Sequence, residues 1–383
     1  MTSTDAVHKL PLRITVVGGG IIGLSAAWAL TRRGHEVTLV EQGKIPNTAN
    51  CSYGRRRLIR HAYGGEVGYS RMVDGACEAW EKLSQDLGQI LHTPIGTLIL
   101  ATTDAEEWLH DTIQTLETEG HTPRWLSKGD LRREFPIIDP GQVQVAFHLD
   151  TGGMLEAELA IREMVVWLTR AGARILTQTK ATTLEPDTAT VVLEDGSRVE
   201  GDGLIVAAGA WVSNLLPGMA RRVTPSRQCY LHLEAPEGLR ADWQKAPMIL
   251  NMDPDRAFFI APPFGSAEEI KMVEHRLSLS GHPDDDRTIT PEEAKSVFEL
   301  CAPYLVAPED YAVKAAHAAY YTVESRKRLI VEPLAPRAWV MTGDSGHGFK
   351  FGPLLGEMIA DTLDETISPQ EIVAWAAGQA DHP

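Results

Sequence analysis

Cysteine is scarce in this chain, with four in 383 residues. Cys51, Cys77, Cys229 and Cys301 are scattered and form no C-x-x-C pair. That excludes a disulfide frame and a cysteine zinc site, and it suits a reducing compartment with free thiols. Positive charge is also in deficit: the formal net charge is −16. A nucleic-acid partner needs a basic surface, and so does an anionic membrane, so both are excluded as expectations. No apolar run approaches the ~20 residues that a bilayer span requires. The opening residues MTSTDAVHKL lack the basic-then-apolar order of a secretory signal, and the closing QADHP lacks a peroxisomal S-K-L. The expectation is a cytoplasmic protein. Internal repeats and low-complexity tracts are missing too. What remains is an ordinary globular composition, 43% hydrophobic and 23% charged, in a chain long enough for two domains.

The most organised stretch is RITVVGGGIIGLSAAWALTRRGHEVTLVE, from Arg13 to Glu41. It reads as a short β-rich strand, a glycine turn, a helix and a second strand. Gly18, Gly20 and Gly23 make G-x-G-x-x-G. The first glycine permits the tight turn, the second admits a pyrophosphate to the backbone, and the third lets helix and strand pack closely. The helix N-terminus then offers free N–H groups and its positive dipole end to phosphate. Arg33-Gly34 stops the helix. Glu41, ending the second strand, is placed to accept from ribose hydroxyls and to disfavour a 2′-phosphate. A glycine loop in some other α/β turn would lack that second strand and terminal acid. The motif leaves open whether the dinucleotide is NAD or FAD.

A basic run follows in this acidic protein: Arg55, Arg56, Arg57, Arg60 and His61, interrupted by Leu58-Ile59 and followed by Tyr63. Such a run is either a solvated basic face or an anion site. The apolar interruption and the nearby phosphate-binding fold favour the second for at least one arginine.

Further along, apolar spacing predicts helices over 70–90 and 104–119, and a strand at 94–100. A short capped helix is expected within 126–136 and another helix over 155–171. A strand at 173–178 precedes a hairpin, 190–193 with 198–200, about an Asp195-Gly196 turn. GLIVAAG at 203–209 is a buried strand ending in glycine. It is either the place where a dinucleotide passes close to backbone or a plain strand end. Residues 225–273 alternate as an antiparallel sheet with one covered face, in which Met248, Phe258 and Phe259 line the core. Thr290, Pro291 and Glu293 spell a capping box. A strand at 339–343 leads into a glycine-rich loop opening a helix near Pro353. The expected fold is α/β (α+β overall): a Rossmann-like dinucleotide domain from 1–90, 141–220 and 315–383, with an inserted antiparallel-sheet substrate domain from 91–140 and 221–314. A cofactor domain split in this way is more like a flavoprotein than a nicotinamide dehydrogenase.

Taken together, GGGIIGLSAAWALTRRGHEVTLVE, RRLIRHAYG, LIVAAGAW and GDSGHGFKFGP resemble the amine-oxidising flavoproteins of the D-amino-acid-oxidase superfamily, in particular the monomeric sarcosine oxidase, N-methyltryptophan oxidase and L-pipecolate oxidase family. The resemblance covers nearly the whole chain. The first motif is common to many families; RLIRHAYG with SGHGFKF is far more specific. The resemblance implies FAD held by Gly18, Gly20, Ile21, Ile22, Gly23, Glu41, Arg56, Arg57, Ala181, Gly209, Trp211, Gly346, Gly348, Phe349 and Lys350. It implies that Arg60 and Lys350 hold a substrate carboxylate, and that Arg57 packs against the flavin. Lys271 over the flavin would assist oxygen reduction, and His275 and Tyr321 would stand in the active site. Each role has a physical reason. A carboxylate in a dry pocket needs paired cations, a developing superoxide is stabilised by an ammonium, and a neutral amine is better held by tyrosine and histidine than by carboxylates.

Two departures bear on the chemistry. Where the family tethers its flavin through cysteine, this chain has Ala319, so the FAD is expected to be non-covalent. Upstream of Arg57, Tyr53 stands in place of a histidine and Arg56 adds a charge. Tyr53 is therefore expected at the substrate, and sarcosine itself is not the expected substrate. The expected reaction is FAD-dependent oxidation of the C–N bond of a secondary or cyclic α-amino acid to an imine, with O2 reduced to H2O2 by a monomer. The alternatives are a same-fold dehydrogenase with another acceptor, a non-catalytic FAD-binding subunit and, more remotely, a nicotinamide enzyme.

Overall fold

The computed structural model describes residues 10–102, 106–253, 257–265, 267–274 and 279–381. Two large sheets organise the chain. The first has six strands in the order Ile330–Ala335, Ala338–Thr342, Gly203–Val206, Arg13–Val17, Glu36–Val40, Arg174–Leu176. All neighbours in it are parallel except the first two, which pair antiparallel. Ile14 to Val17 and Gly203 to Val206 are wholly buried, as a sheet covered on both faces requires. The helices Ile21–Arg32 and Gly348–Leu363 pack on this sheet, and Leu24, Trp28, Leu30, Phe351, Leu355 and Ile359 join one core.

The second sheet has nine strands, in the order Leu279–Ser280, Val223–Glu234, Ile270–Glu274, Phe258–Ala261, Met248–Asn251, Thr97–Ala101, Val145–Leu149, Arg124–Trp125. Ala312–Glu324 also pairs along Val223–Glu234. The pairing is antiparallel except between Met248–Asn251 and Thr97–Ala101. Met248 and Phe258 are fully buried in it. Two three-stranded sheets complete the fold. One is the meander Ala181–Glu185, Thr190–Leu193, Arg198–Glu200; the other joins Arg56–Ile59, Gly153–Glu156 and His92–Pro94.

Local signals in the sequence translate directly. The Asp195-Gly196 hairpin forms, with Gly196 at φ 82°, and capping boxes stand at Ser127 with Asp130 and at Thr290 with Glu293. Three expectations are corrected. Val145–Leu149 and Ala312–Glu324 belong to the nine-stranded sheet, so parts of 141–220 and 315–383 lie outside the dinucleotide domain. Their partners lie far along the chain, which local patterning does not reveal. The last large helix begins at Gly348, not near Pro353. A proline inside the helix costs one N–H bond, which packing of this buried helix offsets. Among the described residues no helix is long and apolar enough to cross a membrane.

Candidate active site

The first sheet ends in a cleft. Gly18, Gly20, Ile21, Ile22, Glu41, Ala181, Gly209 and Trp211 line it, as do Cys51, Tyr321 and Asp344. The glycines are here by necessity. Gly18 sits at φ 115°, and a Cβ on it would stand 2.2 Å from the Ala207 carbonyl oxygen. A Cβ on Gly23 would stand 1.9 Å from the Gly18 carbonyl oxygen, so only glycine closes strand onto helix. Gly20 ends the helix with no side-chain cap, and its first turn carries no acid. One of the free donors, Ile21 N–H, reaches Ser52 Oγ at 3.0 Å. The helix thus presents its positive end to the cleft without an internal anion. Glu41 is buried and held rigidly: Oε2 accepts from Gly19 N–H at 2.7 Å, and Oε1 from Gly43 N–H at 2.8 Å and Asn47 Nδ2 at 2.9 Å. This glycine cradle, uncapped helix end and fixed carboxylate fit the ADP half of a dinucleotide.

Beyond it, the basic run divides. Successive residues of a strand point to opposite sides, and Arg56 and Arg57 open the strand Arg56–Ile59. Arg57 turns toward Phe349, its guanidinium carbon 5.3 Å from the ring, while its nitrogens donate to the carbonyls of Arg56 and Tyr53, each at 2.7 Å. Arg56 turns the other way. It is buried and donates to the carbonyls of Pro262 and Glu269, the latter at 2.6 Å. Arg56 thus ties this strand to the chain flanking the strands Phe258–Ala261 and Ile270–Glu274 of the second sheet. Tyr53, expected at the substrate, is 37% exposed and borders a shallow pocket with Pro46, Gly54 and Glu158.

Arg60 and Lys350 do come together, around Tyr63. The Arg60 guanidinium carbon lies 4.6 Å from the Tyr63 ring centre and Lys350 Nζ 5.5 Å from it. Lys350 Nζ donates to Tyr63 Oη at 3.0 Å and to the His347 carbonyl at 3.2 Å. Trp80 Nε1 donates to the Lys350 carbonyl at 2.7 Å and fixes the helix turn that carries it. Arg60 Nη1 is buried with no hydrogen-bond partner, and among the described residues neither cation has an ion-pair partner. Burial pulls the Lys350 ammonium well below its usual range, helped by Arg60, and burial lowers Arg60 as well. Two desolvated cations with no acid in ion-pair contact are a standing demand for an anion.

The Tyr63 hydroxyl continues to His347 Nδ1 at 3.5 Å, and His347 Nε2 meets the Lys327 carbonyl at 2.8 Å. A carbonyl only accepts, so His347 carries its proton on Nε2 and leaves Nδ1 as acceptor. Burial, and then Lys350, push His347 down to about 3, so it stays neutral. Asp344, half-buried in the cleft, is pushed up to about 7 by burial, against the opposing pull of the Gly346 N–H, Lys350 and Arg57.

Lys271 belongs to a second group. Strand register places it opposite His232, and its Nζ lies 4.4 Å over the Tyr230 ring. Tyr230 stacks on His317 at 5.1 Å. Burial first, then Arg57 and Arg56, hold the Lys271 ammonium well below its usual range. Tyr321 lies against Gly346, whose Cβ would stand 2.9 Å from the phenol ring, and burial pushes its hydroxyl up. Ala319, two residues before Tyr321 on the same strand, shares its face. Gly348 is held against Asp344 and Phe349 stacks on Trp80 at 5.8 Å. His275 lies outside the described residues. Sequence reasoning passed over Tyr63, His347, Asp344 and Cys51 as site residues. The first three stand inside the quoted motifs, and that adjacency was the signal available.

The family model described as DAO, FAD dependent oxidoreductase, matches residues 13–362. The N-methyl-L-tryptophan oxidase of Yersinia pestis (strain Pestoides F) is 26% identical over 370 residues, spanning 95% of this chain and 98% of that protein. Among solved structures, the open form of NikD, an unusual amino acid oxidase essential for nikkomycin biosynthesis, is similar with a TM-score of 0.80 at 19% identity, covering 96% of this chain and 98% of its own. The L-proline dehydrogenase from P. horikoshii gives a TM-score of 0.80 at 21% identity, covering 97% and 98%. At those identities the two structures speak for the fold alone. The match over nearly the whole chain, on a cleft built for a dinucleotide, assigns it: this protein belongs to the DAO family of FAD-dependent oxidoreductases.

Proposed function

We propose that this enzyme oxidises the C–N bond of a secondary or cyclic α-amino acid to an imine and passes the electrons to O2 as H2O2. The observation that carries the reading is the pair Arg60 and Lys350, converging on Tyr63 with no carboxylate in ion-pair range among the described residues. A substrate carboxylate supplies the missing anion, accepting from a guanidinium fork and an ammonium together. Its binding sets the distance of the neighbouring amine from the cleft, which is the positional part of catalysis. FAD bound in the cleft would take up the hydride and hand both electrons to oxygen. Tyr321 borders that cleft and presents a neutral phenol that can hydrogen-bond the substrate amine. Lys271, with Arg57 beside it, brings positive charge where reduced oxygen forms.

The FAD is held without a covalent bond. Ala319 occupies the tether position, and the cysteine lining the cleft, Cys51, has its thiol pushed up to about 12 by burial, so it is not a thiolate. One observation favours a second reading. The depressed Lys271 weakens the charge that oxygen reduction needs, which favours a dehydrogenase with another acceptor. A panel of N-methyl and cyclic amino acids separates them: stoichiometric peroxide under air supports the oxidase, and turnover only with an artificial acceptor supports the dehydrogenase. Denaturation and precipitation should leave the flavin in solution; flavin in the pellet contradicts the non-covalent assignment.

A further inference from the structure

Behind the clamp lies a second polar cluster that the proposed chemistry does not use. His61, next in the chain to Arg60, points Nε2 at Asp74 Oδ1, 3.0 Å away. His121 Nε2 stands 3.9 Å from Asp74 Oδ2 and, although buried, has no hydrogen-bond partner. The two imidazoles are packed with centroids 4.2 Å apart. One ligand atom from each of the three residues lies within 4.8 Å of the other two. His61 is 4% exposed.

We infer that His61, Asp74 and His121 form a binding site for one divalent transition-metal ion of the zinc class. Two neutral imidazoles and one carboxylate are the donor set such ions take, at bond lengths of about 2.0–2.2 Å. Donor atoms around a tetrahedral ion of that size stand roughly 3.3 Å apart, which follows from the same bond lengths. The His61–Asp74 separation already matches. Asp74, 59% exposed at its side chain, is free to rotate and close the longer gap to His121. Its exposure also leaves room for water in the remaining position. The orphaned His121 nitrogen gains the partner that a buried polar atom requires. Such an ion would join three segments: the exit of the strand Arg56–Ile59, the helix Val67–Leu87 that carries Asp74, and the chain following the helix Glu106–Thr118. The strand exit is the one from which Arg60 projects, so the ion would pin the backbone of the clamp.

Zinc chloride is the probe, applied to EDTA-treated, dialysed holoenzyme. Equilibrium dialysis with elemental analysis should find one zinc per chain, and zinc should raise the melting temperature. His121→Gln and Asp74→Asn should each fall well below one equivalent and lose the shift in melting, while keeping the flavin spectrum of the folded protein. Less than a tenth of an equivalent in the unsubstituted enzyme overturns the inference. So does a full equivalent retained in both variants, which would place the ion elsewhere.

Discussion

The two ends of the cleft are built from opposite materials. At the nucleotide end, Gly18, Gly20 and Gly23 work through backbone: close approaches, a left-handed turn and an uncapped helix, with Glu41 fully hydrogen-bonded in advance. At the other end, Arg60, Lys350, Lys271 and Asp344 are side chains whose burial outweighs the partners they have within the described protein. The first end is a finished cradle. The second stores unsatisfied charge, which is where specificity and chemistry belong.

The largest effect in this comparison should come from Gly23→Ala. The added methyl meets the Gly18 carbonyl and pushes helix from strand. A loss of about 3 kcal/mol or more, or failure to hold flavin, is expected in melting and flavin content. A variant that binds FAD normally would show that the cradle is looser than this contact implies. At the cation end the effects should be on kinetics, not on flavin content. Arg60→Gln should weaken amino-acid binding by a few hundred-fold, in line with the roughly 2–5 kcal/mol cost of truncating one partner of a buried charge pair. Lys271→Met should slow reoxidation by O2 by about a hundred-fold and leave anaerobic flavin reduction nearly unchanged. Equal slowing of both half-reactions would remove Lys271 from the oxygen step.

A smaller effect should follow pH. Lys350, depressed by burial, is charged at low pH and loses its charge as pH rises. Asp344 gains negative charge as pH rises through about 7. Both changes oppose a bound carboxylate, so affinity for a simple carboxylate that lacks an amine should fall with rising pH, by about ten-fold for each 1.4 kcal/mol lost. Asp344→Asn should remove the part of this dependence near pH 7. Affinity that rises with pH would reverse the assigned signs.

The comparison also explains what could be read in advance. The cradle was legible because its logic is local: Gly18 to Glu41 is one continuous unit, and each glycine has its reason within a few residues or one neighbouring strand. The capping box at Thr290 and the short capped helix within 126–136 were legible for the same reason. The cation end is not local. Lys350 meets Tyr63 across 287 residues, and although Tyr63 stands beside Arg60 in one motif, nothing local shows that the distant lysine joins it there. Arg56 and Arg57 look alike in a basic run; only the strand they open sends one toward Phe349 and the other to Pro262 and Glu269. The strands Val145–Leu149 and Ala312–Glu324 were misplaced because the partners that claim them are distant.

The most direct test of the central claim is anaerobic addition of a secondary or cyclic α-amino acid to the yellow holoenzyme. The flavin should bleach with saturable dependence on substrate and recover on admitting air with one peroxide per flavin, and Arg60→Gln should require a few hundred-fold more substrate for the same bleaching. Bleaching at unchanged substrate concentration in Arg60→Gln, or none across the panel with the unsubstituted enzyme, would contradict it.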